Sequence, residues 1–174
     1  ITNLIFAQKH NIVNASIALR NENFIEAKQY IDEAYNNEST SNEAKMWNYR
    51  SKIYLQIAKQ HKELDSEAIL KATVAHLKCM QKDKKGRVIV KKWTAEEDIL
   101  AGLVQCGYRL FNSAIVMYNS GDYATSINYY DAIFDIIPFD TEDQLKRGNI
   151  TKETILYNSF FSAKKMNDNS KSIE

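Results

Sequence analysis

Between Gly121 and Pro138 the apolar residues fall at Tyr123, Ile127, Tyr130, Ile133, Phe134 and Ile137, the three-and-four spacing of one face of an amphipathic helix. Gly121 reads as the end of a preceding helix. Pro138 lacks an N–H and biases the residue before it toward extended geometry, so it reads as a stop just past a helix C-terminus. The segment predicts helix, tight turn, helix, stop. The same reading along the chain predicts helices near 9–21, 23–36, 42–60, 66–81, 94–119, 122–137 and 151–166, a short one near 142–147, and a last helix that stops within its opening turns. Three starts carry capping pairs, Asn23 with Glu26, Thr94 with Glu97, and Thr141 with Gln144, in which an oxygen acceptor satisfies otherwise orphaned N–H groups.

The pattern repeats. Tyr123, Ser126, Tyr130 and Ile133 are matched in spacing by Phe24, Ala27, Ile31 and Ala34, and without the leading aromatic by Ala68, Ala72 and Ala75. Small residues on one face allow a partner helix to approach closely, and self-similarity of this kind points to a repeat array. The helices before these ladders share a pattern as well: Asn11, Ala15 and Ala18; Trp47, Ser51 and Tyr54; Leu110, Ala114 and Met117. Leu156, Phe160 and Ala163 would open a fourth unit, with the bulky Phe160 at the small position.

On these residues, and most fully on Leu110, Ala114, Gly121, Asp122, Tyr123 and Pro138, the chain resembles the tetratricopeptide repeat family. The resemblance implies an all-α, right-handed superhelical solenoid of antiparallel helix pairs, about three complete units plus a partial fourth, forming one repeat domain over 9–174. It also implies a concave groove lined by the first helix of each unit. Ile12 and Ser16, Asn48 and Lys52, Phe111 and Ile115, and Tyr157 and Phe161 would face inward, with Tyr108 and Asn112 beside them. The clamp of basic and amide residues by which some members hold a C-terminal carboxylate is absent, since Ile12, Ser16, Tyr49, Tyr108 and Asn112 stand in its place. Apolar and aromatic inward positions suit a helix or an extended peptide with hydrophobic anchors, with Tyr108 and Phe111 as the leading anchors.

Composition narrows the alternatives. The 174 residues are 44% hydrophobic and 26% charged with a formal net charge of +1, so a strongly polyanionic partner is not expected over the whole surface. Five glycines, one proline and no alternating run longer than Arg87-Val88-Ile89-Val90 favour helix over sheet. Leu4-Ile5-Phe6-Ala7 ahead of Gln8 resembles the end of a bacterial export signal over residues 1–8. An exported or periplasmic protein is therefore one expectation and a cytoplasmic one the alternative. No stretch reads as a membrane span.

Candidate chemistry is thin. His76 and Cys79, three apart on a helix, would face one metal with Cys106 or His61, but no paired-ligand motif supports this, and a packed imidazole and thiol is the simpler reading. Cys79 and Cys106 would form a disulfide in an exported protein, or stay as buried thiols. Glu96, Glu97 and Asp98, and Asp140 with Glu142 and Asp143, sit at helix starts, where carboxylates complement the macrodipole. No phosphate loop or catalytic constellation is visible, so the expectation is no enzyme, no cofactor and no metal. The connector 82–93 gathers Lys82, Lys84, Lys85, Arg87, Lys91 and Lys92 beside Trp93. It is an alternative site for nucleic acid or an anionic surface, or else a solvated loop. The leading expectation is a scaffold that binds another protein or peptide in its groove.

Overall fold

The computed structural model describes the backbone of residues 2–171 and the side chains of residues 10–167. The expected end of an export signal at 1–8 lies outside the described side chains. The protein is all-α: α1 (Thr2–Arg20), α2 (Phe24–Tyr35), α3 (Ala44–Gln60), α4 (Ala68–Cys79), α5 (Glu96–Ser120), α6 (Tyr123–Phe134), α7 (Gln144–Arg147) and α8 (Lys152–Lys171), with 3-10 turns at Lys62–Leu64 and Ile137–Phe139. Among the described residues there is no strand, only an isolated bridge between Lys82 and Val88. The contacts form two compact units, Ile1–Gly102 and Leu103–Glu174, and the chain passes from one to the other within α5.

In the first unit α1 and α2 run antiparallel. Asn11 in the middle of α1 donates to Glu33 near the end of α2 at 3.0 Å. Between them Asn23 accepts from the Glu26 N–H at 3.3 Å, which is the expected cap, worth about 1 kcal/mol. The small-residue ladder Ala27, Ile31 and Ala34 is wholly buried, as are Ala15 and Ala18 of α1. The second pair follows the same plan: Ile53, Tyr54 and Ile57 of α3 and Ala68, Ala72 and Ala75 of α4 are all buried where the two helices pack. The connector after α4 is pinned by buried Val88 and Val90. It leads into α5, whose Gly102 lies so close to the His76 ring that an added Cβ would come within 2.2 Å of Nε2.

In the second unit Leu110, Ala114, Tyr130 and Ile133 are all buried, and α5 meets α6 through two edge-to-face ring pairs, Phe111 with Tyr130 at 5.8 Å and Tyr118 with Tyr123 at 5.4 Å. The turn uses Gly121 at φ +88° and Asp122, whose carboxylate accepts from the Thr125 N–H at 3.1 Å. α6 ends at Phe134 and Pro138 sits in the 3-10 turn beyond it, the expected stop. α8 closes over α6, with the buried hydroxyls of Ser126 and Ser162 at 3.2 Å.

Several expectations need correction. α7 is capped by Asp140, which accepts from the N–H groups of Gln144 and Leu145 at 2.8 Å each, and not by Thr141. Thr94 directs its hydroxyl to Asp98 at 3.3 Å, with Glu97 exposed. α1 begins at Thr2, well before residue 9, and α8 continues to Lys171 where a break after 166 was expected. α5 is, by length and composition, long and apolar enough to cross a membrane, against the reading that no stretch is. Core helices satisfy the same criterion, and α5 buries Ile99, Leu103, Leu110 and Ala114 within the protein.

Candidate functional site

The second unit carries an opening of about 330 Å³ lined by Ile115 and Tyr118 of α5, Tyr130 of α6, and Tyr157, Asn158 and Phe161 of α8. Helical periodicity places these groups: 115 and 118, and 157, 158 and 161, each lie within about one turn on one helix face. Tyr157 and Phe161 stack at 4.7 Å with an interplanar angle of 57°, and Phe160 meets Phe161 edge-on at 5.4 Å. Burial pushes the Tyr130 hydroxyl above its usual pKa, against a hydrogen bond with Asn158 that favours the ionised form. The wall is therefore uncharged at neutral pH. Leu156, Tyr157 and Phe160 are about 60–65% exposed, an apolar face that buried core packing does not account for.

Of the expected groove residues, the structure gathers Ile115, Tyr157 and Phe161 at this opening. Phe111 is half-buried against Tyr130. Tyr108 and Asn112 are exposed but outside its lining, and the Tyr108 hydroxyl donates to the Gln144 carbonyl at 2.5 Å, which ties it to α7. In the first unit Ile12, Ser16 and Asn48 are buried and Lys52 is half-buried. Asn48 is the clearest correction: at 1% exposure it offers no surface, and its Oδ1 has no hydrogen-bond partner. The expectation treated the first helix as presenting that face, whereas α3 buries Asn48 along with Ser51 and Leu55. Tyr118, Tyr130 and Asn158 were not expected at the opening. Tyr130 stood out only as a ladder residue, and nothing in the local pattern marks Asn158.

The first unit holds a different constellation that sequence reading missed. Asp32 accepts from the Arg50 guanidinium at 2.6 Å, the Tyr54 hydroxyl at 2.6 Å and the Lys28 ammonium at 3.0 Å. Burial would raise the Asp32 pKa, but hydrogen bonds from Tyr54, Arg50 and Lys28 outweigh it and hold the carboxyl below its usual value. Arg50 lies over the Tyr35 and Tyr54 rings at 4.1 and 4.6 Å. Lys71 pairs with the nearly buried Asp65 at 2.7 Å. Each charge has a counter-charge within the cluster, so it joins α2 to α3 as a structural ion-pair network.

At the connector Lys84, Lys85, Lys91 and Lys92 are exposed, whereas Arg87 donates from Nε and Nη2 to the Asp83 Oδ2 at 3.0 and 2.8 Å. A depression of about 610 Å³ includes Arg87 and Lys91, but also Glu96 and Glu97, so its charge is mixed. His76 donates from Nδ1 to the Ala72 carbonyl at 2.8 Å, and burial holds its pKa down to about 4. Burial likewise pushes the Cys79 thiol up to about 12. Cys79 and Cys106 are buried thiols, neither in a disulfide. Among the described residues no group of three or more His, Cys, Asp or Glu side chains is arranged to hold a metal. No family model, no curated protein and no solved structure matches the chain.

Proposed function

We propose that the protein is a non-enzymatic interaction scaffold built of tetratricopeptide-like helix pairs, and that it binds a peptide or helix of another protein on the α5 and α8 faces of its second unit. One observation carries the reading: an uncharged aromatic opening, continuous with exposed Tyr157 on α8, is present where the repeat resemblance expects a partner. The buried small-residue ladders in α2, α4 and α6 support the repeat assignment. The anchors move from Tyr108 and Phe111 to Tyr157 and Phe161, because the first pair is engaged with α7 and α6. The basic connector is the weaker alternative, since Asp83, Glu96 and Glu97 offset its charge. α5 is read as a core helix, since it buries Ile99, Leu103, Leu110 and Ala114.

The test is calorimetry with a purified partner recovered from the native host. Tyr157→Ala with Phe161→Ala is expected to weaken binding by about 2 kcal/mol or more with little salt dependence, while the fold persists by circular dichroism. Loss confined to a variant of Lys84, Lys85, Arg87, Lys91 and Lys92, with affinity falling steeply as salt is added, would replace the scaffold reading with the anionic-partner one.

A further inference from the structure

We infer that the opening on the second unit is a pocket for a single uncharged aromatic side chain. The inference deepens the scaffold reading and rests on it for its biological sense, though not for its chemistry. None of Ile115, Tyr118, Tyr130, Tyr157, Asn158 and Phe161 is an acidic or basic side chain. An ionised side chain entering here would lose water and find no counter-charge. The amide of Asn158 already bonds the Tyr130 hydroxyl, so these polar groups of the wall serve each other.

Size selects next. At about 330 Å³ the opening lies at the lower end of the range of ligand pockets, roughly 300–1,000 Å³. It takes one large side chain and not the whole face of a helix. Shape then separates aromatic from aliphatic occupants. Four of the six lining residues are tyrosine or phenylalanine, and the tilt between Tyr157 and Phe161 presents both a ring face and a ring edge. A guest ring gains edge-to-face and offset-stacked contacts that a leucine of similar bulk does not. The occupant is thus a phenylalanine, tyrosine or tryptophan presented by a partner peptide.

The probe is N-acetyl-phenylalanine amide, titrated into the full chain while the Ile115 methyl signal is followed by NMR. A saturable ring-current shift is expected with Kd on the order of 1 mM, as the size of the probe dictates, with contacts from the probe ring to Ile115 and Phe161 in nuclear Overhauser spectra. N-acetyl-leucine amide should bind about tenfold more weakly, and the lysine and glutamate amides should show no saturation. Ile115→Trp fills the opening from a position already 39% exposed and should abolish binding. Ile25→Trp, on α2, 67% exposed and outside the lining, should leave binding unchanged and controls for a general effect of added bulk. No saturable shift in the wild-type chain, equal binding of the leucine or charged amides, or unimpaired binding by the Ile115→Trp variant would each overturn the inference. Probe binding with a native partner indifferent to Ile115→Trp would sink the scaffold reading and leave the pocket's chemistry standing. A partner that depends on Tyr157 while the probe fails to bind would sink the pocket alone.

Discussion

The hairpins at 18–34 and 117–133 are built to one plan with different parts. In the first, the Asn23 N–H bonds the Ala18 carbonyl at 2.9 Å and the Glu22 N–H bonds Leu19 at 3.1 Å. In the second, Asp122 bonds Met117 at 2.9 Å and Gly121 bonds Tyr118 at 3.1 Å. Both are Schellman closures with a left-handed residue at the turn, glutamate at φ 56° in one and glycine at φ +88° in the other. The same closure recurs before α8, where Asn149 at φ 59° precedes Ile150, whose N–H reaches the Leu145 carbonyl at 2.9 Å. The plan is set by backbone hydrogen bonding, and the residue in the left-handed slot only tunes its cost.

What the helices do with their outer faces differs more. In register with Tyr123 on Phe24, Asp131 stands where the first unit has Asp32. Asp32 is bound by Arg50 and Tyr54 of the next helix, whereas Asp131 is exposed. In the register that sets Leu156 on Trp47, Ser159 and Ala163 of α8 replace Arg50 and Tyr54, and the buried Ser159 hydroxyl has no hydrogen-bond partner. The first unit thus seals its helix junction with charge, and the second leaves an uncharged aromatic opening beside its own.

The sharpest way to break this contrast is to remove each aspartate. Asp32→Ala leaves the Arg50 side chain, 7% exposed, without its counter-charge and is expected to cost about 3 kcal/mol or more. Asp131→Ala should change stability by less than about 0.5 kcal/mol. Amide exchange at Ile53 and Ile133 reports each unit separately, and equal effects would end the distinction. Titration gives a second handle, because all three histidines lie in the first unit. His76 is held neutral down to about pH 4 in the native state, so the unfolded chain takes up that proton first as pH falls below about 6.5. Its contribution is fully present above pH 6.5 and is lost toward pH 4, on the order of 3 kcal/mol across that window. His76→Leu should flatten the acid dependence of exchange at Ile53, and exchange at Ile133 should show no such step in either protein. The smallest effect belongs to the turns. An added Cβ at Gly121 meets no atom within 4 Å, so Gly121→Ala isolates the backbone cost of the left-handed slot, about 1 kcal/mol. Glu22→Gly should stabilise the first hairpin by up to about that amount, and denaturant melts of the pair measure both.

Local information was legible and relational information was not. The ladders at Ala27 and Ser126 and the cap at Asn23 depend on neighbours within a turn or two, so spacing alone located them. The α7 cap was misassigned because Asp143 adopts φ 55°, which turns the chain so that Asp140 reaches the helix start in place of Thr141. α8 outlasts expectation because a polar run such as Asn167–Ser170 resembles a turn while still permitting helix. Tyr157 and Phe161 fall together at the opening because they lie one turn apart on α8, with Ile115 reaching it from α5. Asn48 was misread, and Tyr130 with Asn158 overlooked, because their exposure is decided by how one helix meets another.

The hairpin plan also sets an order of assembly. Within each unit the principal helix contacts join elements that are consecutive or nearly so along the chain, which is low contact order and favours fast folding. A chain emerging from the ribosome can close α1 on α2 before α3 exists. At that stage the Asp32 carboxylate is still hydrated, because Arg50 follows it by 18 residues. The desolvation of both charges is deferred until their partner helix arrives, so the ion pair locks a hairpin that has already formed and plays no part in nucleating it.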